Sequence, residues 1–354
     1  MVTPKLLLAL VLYGLMLPNP IIMQQKITED KNVVCFIYHR FGDARYPSTN
    51  ISTQDFEAHL RYLVEHQFQV LTLSEALAYV QSDRPIKKTV VITIDDGYKS
   101  FFLNGLPLLK KYKLPATLFI NTETVGASDF MTWDQLSETL NAHVEIGNHT
   151  HSHAYFLNES ASTRYKTLEN EIRQSQSLIT EKLNITPTLF SYPFGEFDEA
   201  MKEIVKKAGF AGAAAQKSGV LYTETDRLEI PRFPMSENYA ALKKFSEKAS
   251  MRPLQVSYQS PGNSILLPVE KRPILTLTFA RDQLQLNNLQ CFAQGGGCTF
   301  KILSVNESDV TLQIQSTHSI SSRRRTIYTV TVPDKSGSWH WFSHLWINPV
   351  VKGN

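Results

Sequence analysis

Cysteine is scarce in this chain, three in 354 residues, which excludes a small disulfide-built scaffold. No second cysteine pair exists to complete a zinc site of the Cys-rich kind. An excess of one charge is also missing: 36 basic residues stand against 33 acidic ones, leaving +3 and a pI near 8.6. That balance is too mild for a nucleic-acid surface. The single basic run, Arg323-Arg324-Arg325, lies among β-type residues and reads as a solvated strand face or turn. Fixed-period repeats and low-complexity tracts are absent as well. What remains is an ordinary globular composition, 42% hydrophobic and 19% charged, with a length that calls for two domains.

Long hydrophobic runs are lacking too. Leu6 to Leu17, preceded by Lys5, is too short to span a bilayer comfortably but has the length of a secretory-signal core. We therefore expect residues 1–25 to be a signal peptide or N-terminal anchor, and the protein to be periplasmic, secreted or associated with the cell envelope. No clear small-residue cleavage site follows Pro18-Asn19-Pro20, so an uncleaved segment would tether the chain to a membrane. In such a compartment Cys291 and Cys298, which flank Gly295-Gly296-Gly297, are expected to close a short disulfide loop. Cys35 then stays a buried thiol in an apolar strand.

From about residue 33 to 235 the pattern alternates strands and helices. Strand-like runs at Val33 to Tyr38, Val70 to Leu73, Val90 to Ile94, Ala116 to Ile120, Val144 to Ile146 and Thr188 to Ser191 are separated by helical periods. The helices are expected at Thr53 to His66, Ser74 to Val80 with Ser74 as cap, Leu106 to Tyr112, Trp133 to Leu140, Ser162 to Leu183 and Glu199 to Ala208. This succession implies a parallel sheet, open or closed into a barrel, with its active site at the carboxyl ends of the strands. Residues 26–250 are read as this domain, 251–265 as a Pro/Ser-rich linker, and 266–354 as a small β-sandwich. In the last, Trp339, Trp341, Phe342 and Trp346 read first as core and otherwise as a sugar-stacking face.

Candidate chemistry sits at the expected strand ends. Val90 to Ile94 runs into Asp95-Asp96-Gly97; paired carboxylates there suit catalysis, though the same pair suits a helix cap. Val144 to Ile146 leads to His149-Thr150-His151-Ser152-His153, where His149 and His153, four apart, can offer imidazoles to one metal. Thr188 to Ser191 leads to Tyr192-Pro193-Phe194-Gly195, a rigid loop whose backbone N–H groups can approach a ligand, or an ordinary turn.

Taken in order, these three motifs resemble the polysaccharide deacetylases of carbohydrate esterase family 4. Tyr38-His39 and Pro231-Arg232 extend the likeness to the branch that deacetylates poly-N-acetylglucosamine. The resemblance implies a distorted (β/α) barrel, a divalent metal, zinc foremost, and removal of N-acetyl groups from an amino-sugar polymer, with the polysaccharide as partner and no nucleic acid. It implies Asp96, His149 and His153 as metal ligands, Asp95 as general base, and Tyr192, Pro193, Phe194 and Gly195 as substrate-binding, the Phe194 N–H facing the oxyanion. Two departures matter. Many members carry an arginine where this chain has Ser191, so Arg232 is expected to orient Asp95 instead. No histidine lies between His153 and His318, so His39 is expected to protonate the leaving amine. The alternatives are an O-acetyl esterase on a xylan-like glycan and a glycan-binding protein without activity.

Overall fold

The computed structural model describes residues 31–353; the expected signal segment lies outside them. The first strand, β1 (Asn32–Tyr38), is buried along nearly its whole length, as a continuous apolar run in a parallel sheet must be. After it come α1 (Thr53–Glu65), β2 (Gln69–Leu71), α2 (Leu73–Val80), β3 (Thr89–Ile94), α3 (Leu106–Tyr112), β4 (Ala116–Ile120), α4 (Trp133–Leu140) and β5 (Val144–Asn148). The domain continues with α5 (Arg164–Leu183), β6 (Leu189–Ser191), α6 (Glu199–Lys207), β7 (Gly212–Ala214), β8 (Val220–Tyr222), β9 (Phe233–Pro234) and α7 (Leu242–Ala249).

Local chemistry accounts for most of these boundaries. In α1 the Ser52 side chain caps the Asp55 N–H, and Phe56, Leu60 and Leu63 bury one stripe. The α2 helix begins one residue before Ser74, because Thr72 and Glu75 form a reciprocal capping box that satisfies two backbone donors where Ser74 would satisfy one. The long α5 buries Leu168, Ile172, Ser175 and Ile179 on one side and starts at Arg164, two residues later than its periodicity suggests.

The sheet runs β8-β1-β3-β4-β5-β6-β7, with β2 on β3 and β9 on β1. Its seam is bridged by one short segment: Ile230 pairs in parallel with Ala214, and Phe233 pairs in parallel with Phe36. The distorted (β/α) barrel is therefore laced shut by residues 230–234, which carry Arg232.

The all-β part contains β10 (Val256–Ser260), β11 (Ile274–Ala280), β12 (Gln290–Ala293), β13 (Cys298–Val305), β14 (Asp309–Ser316), β15 (Arg325–Pro333) and β16 (Trp339–Ile347). They form two sheets, β10-β11-β14-β13 and a second in which β12, β15 and β16 are joined by Arg252–Pro253. The inner faces share a core of Leu275, Leu277, Phe279, Val310, Leu312, Tyr328, Val330 and Trp346. The linker expected at 251–265 is thus a correction: Arg252–Pro253 and Val256–Ser260 are strands of this sandwich. Backbone pairing with β16 and β11 overrides a turn-rich composition. Cys291 and Cys298 are bridged, and Cys35 is fully buried, its thiol pushed up to about 12 by that burial.

The two parts share apolar surface. Leu345 and Ile347 of β16 join one buried cluster with Phe156, Phe190, Tyr192 and Phe197 of the barrel. Trp341 packs edge-on to Phe233 and donates its indole N–H to Ser218 Oγ at 3.1 Å. Trp346 lies in the sandwich core at 1% exposure, as the core reading expected, whereas Trp341 packs on the barrel and Trp339 is half-buried. Among the described residues no helix is long and apolar enough to cross a membrane.

Candidate active site

At the end of β3 the backbone turns sharply: Asp96 and Gly97 both have positive φ, 75° and 72°. This reversal sends the two adjacent carboxylates to different partners. The capping alternative does not hold: helical backbone begins only at Lys99, three residues after Asp96, and Asp95 is committed to Arg232. Asp95 is fully buried. Arg232 donates Nη1–H to its Oδ1 at 2.7 Å and Nη2–H to its Oδ2 at 2.9 Å, and the Ser191 hydroxyl adds a bond to Oδ2 at 3.2 Å. The guanidinium is itself held by Thr93 Oγ1, the Ala215 carbonyl and Ser191 Oγ. Burial would raise the Asp95 carboxyl, but the Arg232 charge and fork outweigh it and leave the group below its usual value. Asp95 is therefore a fixed, ionised carboxylate. Ser191 Oγ bridges it to the guanidinium, donating to Asp95 and accepting from Arg232.

Asp96 faces two histidines. Its Oδ1 lies 3.4 Å from His149 Nε2 and 3.3 Å from His153 Nε2, and the two Nε2 atoms are 3.1 Å apart. His149 donates Nδ1–H to the Ser191 carbonyl at 2.7 Å, which fixes the tautomer and leaves Nε2 as a lone-pair donor. Burial, with the neighbouring His149, lowers His153 to about 4, so its ring is neutral at physiological pH. Asp96 Oδ1 is buried without a hydrogen-bond partner, a costly state for a carboxylate oxygen unless a cation satisfies it. Three donor atoms 3.1–3.4 Å apart have the spacing of one coordination shell with ligands at about 2.0–2.2 Å. The residues fit a divalent cation. His151 is not among them; its Nδ1 bonds Thr122 Oγ1 at 2.9 Å.

Strain gathers here. Asp96, Thr150, His153 and Phe194 all adopt positive φ, a conformation that persists in such residues only where the surroundings enforce it. Phe194 (φ 57°, ψ 6°) follows Pro193, and its ring lies edge-on to His153 at 4.4 Å and flat on Tyr155 at 3.5 Å. Gly195 is required: at φ +68° an added Cβ would sit 2.5 Å from the Gln216 nitrogen. Tyr192 departs from expectation. Its ring is buried against Phe197 and Phe190, so it supports the loop from beneath rather than facing substrate. His39, just past β1, lies within the electrostatic reach of Asp96, Asp95 and Arg232; burial lowers it, and the two carboxylates oppose that fall.

Tyr155, Glu196 and Arg325 were missed by sequence reasoning. Arg325 sits on β15 yet donates to the Phe194 carbonyl at 2.5 Å. Its neighbour Arg324 forks onto Glu196, the closest pair at 2.6 Å, so the run read as a solvated face is a partly buried clasp between the two parts. A cleft of about 650 Å³ opens along this junction, lined by His39, Tyr155, Gln216 and Arg232 from the barrel and by Gln294 and Arg325 from the sandwich.

Comparison with known proteins agrees with this geometry. The sequence model of the polysaccharide deacetylase family matches residues 82–213. The poly-beta-1,6-N-acetyl-D-glucosamine N-deacetylase of Staphylococcus aureus (strain MRSA252) is 27% identical over 213 residues, covering 57% of this chain and 73% of that protein. Among solved structures, the Streptococcus pyogenes deacetylase PplD in complex with acetate superposes with a TM-score of 0.56 at 18% identity, covering 62% of this chain and 98% of that one. IcaB from Ammonifex degensii gives 0.55 at 23% identity, with 62% and 97% covered. Both likenesses are of fold. Together with the motif order, the sequence match makes this chain similar to the polysaccharide deacetylases over residues 82–213.

Proposed function

We propose that this enzyme removes N-acetyl groups from an N-acetylglucosamine-containing polysaccharide, releasing acetate and leaving a free amine, with a divalent metal held by Asp96, His149 and His153. The observation that carries the reading is the adjacency of two differently used carboxylates. Asp95, gripped by Arg232, has Oδ2 3.8 Å from His149 Nε2, while Asp96 belongs to the ligand cluster. Bound there, a divalent cation, zinc by its nitrogen and oxygen donor set, supplies Lewis-acid polarisation of the acetamide carbonyl and lowers the pKa of water.

The chain's own residues do the rest. Asp95 takes a proton from the attacking water as its oxygen adds to the carbonyl carbon. The Phe194 N–H faces the developing oxyanion. His39 gives a proton to the departing nitrogen as the carbon–nitrogen bond breaks, a step an amide needs more than an ester does, because the amine is the poorer leaving group. This favours N-acetyl over O-acetyl substrates. The name of the Staphylococcus aureus relative supports a poly-N-acetylglucosamine substrate, and the Cys291–Cys298 bridge supports an oxidising compartment, periplasmic, secreted or at the envelope.

The test is acetate release from poly-β-1,6-N-acetylglucosamine, chito-oligosaccharides and acetylated xylan by the wild-type chain, Asp95→Asn, and a chelated sample with zinc restored. Release from the amino-sugar polymers that needs both Asp95 and metal is expected. Release from xylan alone would replace the reading with an esterase, and bound metal without turnover on any of the three would sink it.

A further inference from the structure

The sandwich domain has no role in the chemistry just described; Trp346 lies in its core and Trp341 at the barrel interface. Arg325 ties it to the loop that carries Phe194. This residue opens β15 and extends Nη1 to the Phe194 carbonyl at 2.5 Å and to Gln216 Oε1 at 3.3 Å. The segment it grips is strained. Phe194 and Gly195 are consecutive left-handed residues, at φ 57° and 68°, a conformation that is unfavourable for a residue with a Cβ. Something must hold it.

On the barrel side, Tyr155 stacks on the Phe194 ring, and the turn closes on itself through Gly195 N–H to the Tyr192 carbonyl at 2.8 Å and Glu196 N–H to the Pro193 carbonyl at 3.1 Å. The Phe194 carbonyl, between these bonds, is held from the sandwich. Arg325 donates a charge-assisted bond, stronger than a neutral one, to the Phe194 carbonyl. Two residues on, Glu196 is locked by Arg324, both side chains being nearly inaccessible at 9% and 3%. The Arg324–Glu196 fork also fixes Arg325, which lies 3.8 Å from the same carboxylate. With the carbonyl pinned, the 194–195 peptide plane is held, which disfavours the rotations at the Phe194 Cα that would swing its N–H away.

We propose that Arg325 is a positioning residue for deacetylation: the sandwich supplies it in order to hold the Phe194–Gly195 loop so that the Phe194 N–H meets the oxyanion. The sandwich is then a working part of the active site rather than an appended glycan-binding module. The inference rests on the deacetylase reading, since it assigns the loop a transition-state role.

The experiment compares the full-length wild type, Arg325→Ala and Arg325→Lys in acetate release and in hydrogen exchange of the 192–197 backbone. The expected result is a kcat lowered about 10- to 100-fold in Arg325→Ala with KM within about threefold, since the lost contact acts on the transition state. Zinc stoichiometry stays unchanged, exchange quickens at 192–197, and Arg325→Lys recovers part of kcat. A purely structural role would lower the melting temperature and leave kcat intact well below it, which overturns the proposal, as does unaltered loop exchange. If Arg325→Ala does not fold, Arg325→Lys and Arg325→Gln carry the same comparison. A wild type silent on every polymer fails the deacetylase reading itself; an active wild type matched by an equally active Arg325→Ala fails only this inference.

Discussion

Arg232 crosses from the segment that closes the barrel to hold both carboxylate oxygens of Asp95, at 2.7 and 2.9 Å, with both side chains fully buried. A planar fork does this and a single ammonium cannot. Arg232→Lys is therefore expected to keep the charge and lose the orientation, lowering kcat about 100-fold with little change in KM. Arg232→Met removes the charge too and leaves Asp95 buried and unpaired, at a stability loss of about 3–5 kcal/mol. Steady-state kinetics and urea unfolding of the two variants separate these effects; near-normal turnover in Arg232→Lys would refute the positioning role.

Metal loss has two signatures. Among the described residues Asp96 Oδ1 has no hydrogen-bond partner, so chelation should abolish acetate release and also lower the melting temperature. At a free-metal concentration 100 times the Kd the bound cation contributes about 2.7 kcal/mol. Elemental analysis of the wild type should find one equivalent, with Asp96→Asn and His153→Ala retaining far less. Full turnover after exhaustive chelation would contradict the assignment.

Acid sensitivity is traced to His59. It is buried, accepts from the Tyr38 hydroxyl at Nδ1, donates Nε2–H to the Ala240 carbonyl and stacks on Phe245. Burial lowers it from 6.5 to about 4. The unfolded chain therefore binds this proton first, and stability present above pH 6.5 is lost as pH falls toward 4, by up to about 3 kcal/mol. His344, lowered to about 3 by burial, acts in the same direction. Urea midpoints at pH 7 and pH 5 for the wild type and His59→Gln test this: the variant should show the smaller loss, and an identical pH slope would rule His59 out.

The Arg324–Glu196 clasp predicts non-additivity. Arg324→Met alone strands a carboxylate whose side chain is 3% exposed and should cost about 3–5 kcal/mol, whereas Arg324→Met with Glu196→Leu should recover most of that. A double-mutant cycle in urea measures the coupling. Additive losses would mean that the clasp holds nothing.

Much of the catalytic geometry was legible because it is local. An apolar run that stops at Asp95-Asp96 places carboxylates at a strand end, and His149 and His153 reach one point because they lie on one short loop. Arg232 was expected only through the family resemblance, as a substitute for an arginine missing at 191, and only the lacing of residues 230–234 between β7 and β1 brings it to Asp95. Tyr192 was misplaced because a motif states which residues come together and not which way each ring turns.

By itself, then, the sequence determined the alternation of strands and helices, the strand ends that carry Asp95-Asp96 and His149 to His153, and the cysteine pairing, which follow from hydrophobic period, turn chemistry and short spacings; the closed barrel and Asp96 as the third ligand came from the family resemblance. Only the tertiary structure decided that Arg252–Pro253 and Val256–Ser260 are strands, that Trp341 packs at an interface, and that Arg325 reaches Phe194 across 131 residues. The physical reason is one of range. Periodicity tells which face of β15 is apolar, but whether its first charged residue meets water or a backbone carbonyl depends on how two separately folded surfaces pack together.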